Sequence, residues 1–155
     1  MTIRNPADLA SSLDRGQCLL GLDVGKKTIG VAVSDPGLRV ASPLTVIARK
    51  RFAEDARRIA ELMAERKAGG LVVGLPLNMD GSEGPMCQSV RQFAANLIAA
   101  LGDMPVAFWD ERLSTAAVDR AMLEADLTRK RRAKAVDKLA ATYILQGLLD
   151  RLRHS

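Results

Sequence analysis

Residues 19–24 form an apolar run interrupted only by Gly21 and Asp23, and residues 29–34 form a second. Runs of this length predict buried strands, and the short Gly25-Lys26-Lys27-Thr28 connection predicts a hairpin between them. A third run over 40–47 follows the Asp35-Pro36-Gly37 turn and completes a three-stranded antiparallel meander. From residue 52 the period changes. Phe52, Ala56, Ile59 and Met63 recur on one helical face, with Gly69-Gly70 as the stop. Residues 71–75 are again a continuous apolar strand of the kind that helices cover on both faces. Val90, Phe93, Ala94, Leu97, Ile98 and Leu101 mark a second amphipathic helix closed by Gly102, and residues 106–109 predict a fifth strand.

Ser114 is a good N-cap for a helix over 115–125, and a last helix is expected over 134–151. Its expected inner face carries Val136, Leu139, Ala140, Tyr143, Ile144, Gly147 and Leu148. The order βββαβαβαα predicts an α/β fold: a five-stranded mixed sheet flanked by helices, antiparallel in its first three strands and parallel among the first, fourth and fifth. With 155 residues, one domain over 18–155 is expected after an N-terminal extension over 1–17. Asn5 before Pro6 predicts a short helix over 6–13, with disorder as the alternative.

Composition narrows the chemistry. The single histidine, His154, is the penultimate residue, which removes triads and histidine-based metal sites from consideration. Cys18 and Cys87 stand far apart without neighbouring ligands, as expected of a reducing cytoplasm rather than a disulfide framework. Residues 1–16 lack the apolar run of a signal peptide, and no uncharged stretch is long enough to span a bilayer. The expectation is a cytoplasmic protein without a membrane partner. The net charge of +5 leans weakly towards polyanionic partners.

The topology gives that charge a context. Open α/β sheets bind ligands beyond the carboxyl ends of parallel strands, and there the expected sheet places Asp23 and the Asp110-Glu111 pair. Asp137, expected in the first turn of the last helix, completes a candidate catalytic set of Asp23, Asp110, Glu111 and Asp137. Neighbours on a strand point to opposite faces, so Asp110 and Glu111 both ligate only if the backbone turns; Glu111 is favoured, making Asp23, Glu111 and Asp137 the candidate metal ligands. An oxygen-only set suits Mg²⁺ or Mn²⁺. The natural reaction is phosphodiester hydrolysis with two ions about 4 Å apart. Asp35 reads as a turn residue. Arg129, Lys130, Arg131, Arg132 and Lys134 put five cations in six positions beside Asp137. An acidic site repels a polyanionic substrate unless cations flank it, so these, with Lys26, Lys27 and Arg112, are the candidate nucleic-acid contacts. A solvated charged loop is the plainer reading of that segment. Aromatics make up 3% of the chain, too few for a base-stacking platform.

Four ordered motifs carry a resemblance: Gly21-Leu22-Asp23-Val24-Gly25-Lys26-Lys27-Thr28-Ile29-Gly30-Val31-Ala32, Val73-Gly74-Leu75-Pro76-Leu77-Asn78-Met79-Asp80-Gly81, Asp110-Glu111-Arg112-Leu113-Ser114-Thr115 and Val136-Asp137-Lys138-Leu139-Ala140-Ala141. Over about residues 19–151 the chain resembles the YqgF/RuvX family of bacterial nucleases linked to pre-16S rRNA, which are related to Holliday junction resolvases and have an RNase H-like fold. The resemblance implies that Asp23 matches the first-strand aspartate, Asp110 and Glu111 the acidic motif after the fifth strand, and Asp137 the helix aspartate. Resolvase relatives add a carboxylate at the end of the fourth strand, whereas here that strand ends Gly74-Leu75-Pro76. The loop beyond it either turns Asn78 or a backbone amide towards a phosphate or merely connects. Likewise Arg112 either meets the scissile phosphate or pairs with an acidic neighbour.

The expected function is therefore a metal-dependent endonuclease acting on structured RNA, with the 5′ end of precursor 16S rRNA implied by the resemblance alone. A junction-cleaving DNA nuclease and a non-catalytic RNA-binding assembly factor are the alternatives. Asp23-x-Gly25-x-x-x-x-Gly30 also resembles the phosphate loop of the actin and sugar-kinase ATPases, which need two domains where this chain has length for one. Branched DNA is the second candidate partner, and either a monomer or a homodimer is compatible with the sequence.

Overall fold

A computed structural model describes residues 4–102, 104–113 and 129–154, with backbone only for 113 and 129–138. Five strands form one sheet: β1 (Cys18–Val24), β2 (Thr28–Ser34), β3 (Ala41–Ala48), β4 (Ala68–Leu75) and β5 (Val106–Asp110), in the order β3-β2-β1-β4-β5. β1 pairs antiparallel with β2 and parallel with β4, β2 antiparallel with β3, and β4 parallel with β5. The mixed α/β sheet expected from the hydrophobic pattern is the one observed. Helices α1 (Pro6–Ser11), α2 (Phe52–Arg66), α3 (Pro85–Leu101) and α4 (Arg129–Arg153) flank it. The expected helix over 115–125 lies outside the described residues.

Period-two alternation splits the strand residues between two cores. On one face Leu20, Leu22, Ile29, Val31, Leu71 and Val73 pack against α2 and α3 through Ile59, Leu62, Val90, Phe93 and Leu97. On the other, Leu19, Ala32, Val72 and Ala107 meet Ala141, Ile144, Leu145, Leu148 and Leu149 of α4. The second face is paved with small residues, and α4 comes very close: a Cβ at Gly21 would lie 2.8 Å from the Leu145 Cβ and 3.0 Å from the Ala141 carbonyl oxygen.

Several boundaries differ from expectation, α1 ending at Ser11 rather than at residue 13 among them. α2 stops at Lys67, in the left-handed conformation at φ 54°, and Gly69 and Gly70 belong to β4. Their role is clearance: a Cβ at Gly70 would lie 2.8 Å from Leu9. The last helix already runs at Arg129, so Asp137 is not in its first turn. Its buried stripe is Ala141, Ile144, Leu145, Leu148 and Leu149, rotated from the expected one, and leaves Leu139, Ala140 and Tyr143 half-buried. Gly147, half-buried in α4, lies where a Cβ would come within 2.8 Å of the Trp109 indole.

From Arg4 onward the N-terminal extension is tied to the sheet. Asn5 caps α1 by accepting a hydrogen bond from the Asp8 amide at 2.8 Å, and the Arg4 amide donates to the Val106 carbonyl at 2.7 Å. Leu9 is fully buried in the α4-side core, a burial that stabilises by about 1.5–3 kcal/mol. Among the described residues no helix is long and apolar enough to cross a membrane.

Candidate active site

The parallel pairing of β1, β4 and β5 brings their carboxyl ends to one edge. Leu22 pairs with Val73 and Val73 with Phe108, so Asp23, Gly74 and Trp109 occupy the next row of the sheet. Asp23 has the parity of Leu19 and therefore belongs to the α4 face.

Asp110 is the last residue of β5, and Glu111 opens a 3₁₀ turn over Glu111–Leu113. That turn breaks the alternation and gives the two acids different partners. Glu111 reaches Asp23. Burial raises its pKa from 4.5 to about 8, reinforced first by the Asp23 charge and hydrogen bond and then by the Asp110 charge. The pair marks a place where negative charge is concentrated and poorly hydrated.

Asp110 turns to Arg112. The Arg112 Nη2 donates to Oδ2 at 2.6 Å, Nε lies 2.9 and 3.0 Å from the two oxygens, and the Arg112 amide donates to Oδ1 at 2.9 Å. These bonds hold the Asp110 pKa below the ordinary carboxylate range. Arg112 Nη1 also donates to the Met79 carbonyl at 3.1 Å, strapping the loop after β4 to the end of β5. Arg112 thus pairs with its acidic neighbour Asp110. Asn78 in that loop is engaged locally, its side chain donating to the Ser82 hydroxyl at 3.0 Å.

Sequence reasoning missed the residue that makes the acidic pair possible. A Cβ at Gly74 would lie 2.6 Å from Glu111 Oε1, 2.8 Å from its Cγ and 2.5 Å from Ile144 Cδ1. Glu111 lies over the backbone of β4 at the place where that strand lacks an acid of its own. The available signal was a glycine inside an apolar strand, which marks close approach.

Asp35 is a turn residue as expected, accepting from the Arg39 and Val40 amides at 2.8 and 2.9 Å. Lys26 and Lys27 are exposed on the β1–β2 turn. The side chains of Asp137, Arg129, Lys130, Arg131, Arg132 and Lys134 lie outside the described residues. Their backbone belongs to α4, with Asp137 one helical turn before Ala141, whose carbonyl oxygen sits over Gly21. Among the described residues no group of three or more His, Cys, Asp or Glu side chains is set to hold a metal. The donors that do converge, the oxygen-only carboxyl groups of Asp23 and Glu111, fit a hard divalent cation.

A model of the RuvX family, described as Holliday junction resolvase, matches residues 17–151. A protein of Roseobacter denitrificans named "Putative pre-16S rRNA nuclease" is 56% identical over 99% of this chain and 94% of its own length. One of the same name from Paramagnetospirillum magneticum is 60% identical over 97% and 96%. Among solved structures, RuvC of T. thermophilus in complex with Holliday junction substrate superposes with a TM-score of 0.56 at 17% identity, over 88% of this chain and 96% of that one. The fowlpox virus resolvase with junction DNA gives 0.51 at 11% identity, over 88% and 99%. Those two likenesses show a shared RNase H-like fold. The chain belongs to the RuvX family.

Proposed function

We propose that this protein is a nuclease that hydrolyses phosphodiester bonds of precursor 16S rRNA with Mg²⁺ or Mn²⁺, a reaction of the cytoplasm. The observation that carries the reading is the Asp23–Glu111 pair at the carboxyl edge of the sheet, in a chain more than half identical to proteins that bear this name. Asp23 and Glu111 would hold the cation, with Asp137 as the third carboxylate. When bound, the ion would lower the pKa of a water and offset charge on the leaving oxygen. Glu111, with a pKa raised to about 8, would have to give up its proton to hold the cation. Asp110 acts indirectly, fixing Arg112 and through it the loop that borders the edge. No described side chain is placed as a histidine-like base.

The test is cleavage of a labelled precursor rRNA fragment by wild type, Asp23→Asn and Glu111→Gln, with Mn²⁺ and with EDTA, at matched folding. A cut that needs the metal and falls at least about 100-fold in both variants supports the reading. A wild type that binds the RNA and never cuts it points to the assembly-factor alternative. The family description names a resolvase, so a four-way DNA junction is run beside the RNA. Preferential cutting of the junction reverses the substrate assignment while keeping the carboxylate site.

A further inference from the structure

An acidic edge repels a polyanionic strand unless cations flank it, and the basic segment over 129–134 belongs to α4. Across the edge, on the α3 side, a cavity of about 430 Å³ is lined by Lys26, Arg49, Pro85, Met86 and Ser89. Both charged groups in its wall are cationic. It lies at the β1–β2 turn, where Lys26 follows Asp23 by three residues.

Arg49 is held rigidly. Its Nη1 donates to the Gly25 carbonyl at 2.7 Å, and its amide donates to the Lys27 carbonyl at 2.9 Å. The guanidinium carbon stands 5.1 Å from the Phe93 ring centroid, and Nε lies 3.9 Å from Oδ2 of the buried Asp55. Among the described residues Nη2 makes no hydrogen bond, so a fixed fork keeps one arm available. An arginine ordered in advance loses little entropy when it grips a phosphate oxygen. Asp55 offsets part of the Arg49 charge from behind, at Nε, while its other oxygen accepts from the Lys50 amide at 3.0 Å and the carboxylate itself does not line the cavity. The first turn of α3, without a side-chain cap, adds its positive end to a site the two cations already define.

We propose that this cavity seats a phosphodiester of the substrate strand flanking the scissile one, gripped by Arg49 and Lys26, so that the strand crosses the sheet edge between two cationic flanks. The inference rests on the nuclease reading for the position of the scissile bond.

Binding of the labelled precursor rRNA fragment in EDTA, followed by anisotropy across a salt series, tests it. Lys26→Gln is expected to weaken binding about 3- to 10-fold and to reduce the slope of log K against log salt by about one. Ser89→Glu, an exposed change that leaves every Arg49 contact in place, is expected to weaken binding about as much. It serves where Arg49→Gln misfolds by orphaning Asp55. Wild-type affinity and slope in both variants, or no RNA binding by wild type, would overturn the proposal. Asp23→Asn keeps the two readings apart, since it should bind no worse than wild type while losing the Mn²⁺-dependent cut. If it cuts normally, the carboxylate site fails and the binding arm still decides the cavity. Inorganic phosphate is titrated in parallel, with the amides of residues 86–89 followed by NMR. Shifts there, alongside unaltered RNA binding in the variants, would mean a free-anion site and would also overturn the strand contact.

Discussion

The two faces of the sheet are built on opposite rules. The face under α2 and α3 is filled by large side chains such as Leu20, Leu22, Leu71 and Val73, and its stability comes from apolar area. The face under α4 is paved with Gly21, Ala32, Gly74 and Ala107, and what it provides is proximity. There a helix backbone comes almost into contact with a strand, and Glu111 lies across β4 to meet Asp23. The first face makes the fold and the second makes the site, so substitutions on the two should fail in different ways.

The largest stability loss is expected on the α2/α3 face. Leu71→Ala, fully buried and away from the acidic edge, should lose about 2–5 kcal/mol in denaturant unfolding. Its cleavage per folded molecule should match wild type; a selective loss of cleavage would contradict the division between the faces.

A pH dependence of about 2–4 kcal/mol is expected next, and only from the α4 face. Glu111 binds its proton more tightly folded than unfolded, with a pKa raised from 4.5 to about 8. Its contribution is complete below pH 4.5 and lost as pH rises through 8. Metal-free protein should therefore unfold more easily at pH 8.5 than at pH 5.5, and Glu111→Gln should flatten the curve. An unchanged curve in that variant would place the pH dependence elsewhere.

Small-to-large changes on the α4 face come third. Gly74→Ala sets a methyl against Glu111 and Ile144, and Gly21→Val sets one against the backbone of α4. Overpacking of this kind costs about 1–3 kcal/mol. Gly74→Ala should also cost cleavage out of proportion to stability, because it displaces a carboxylate; equal loss of both would sink the idea that Gly74 serves the site.

The smallest effect sharpens the assignment of Asp110. Asp110→Asn loosens a strap that is about one-quarter exposed and should change stability by about 1 kcal/mol or less. Cleavage should persist at a reduced rate, since Arg112 still reaches the Met79 carbonyl. A loss as complete as that of Asp23→Asn would make Asp110 a ligand.

The local pattern of the chain determined the strands, their pairing directions and the edge on which the acids gather. Hydrophobic period and turn chemistry are short-range properties, and a parallel connection leaves few topologies open. Asp23 and Glu111 were legible for the same reason, as carboxylates at strand ends beside Gly25 and Arg112. Strand alternation favoured Glu111 over Asp110, but the contact of Glu111 with Asp23 hangs on one 3₁₀ turn that breaks that alternation, which no composition signal encodes. Gly74 carried only the signal of a glycine inside an apolar strand and Arg49 none, because each acts on a residue distant in sequence, Gly74 by leaving room for Glu111 and Arg49 by gripping Gly25 between Phe93 and Asp55. The sequence alone settled which groups arrive at the edge; only close packing between faces decided which of them touch, since contact depends on tenths of an ångström that residue type does not specify.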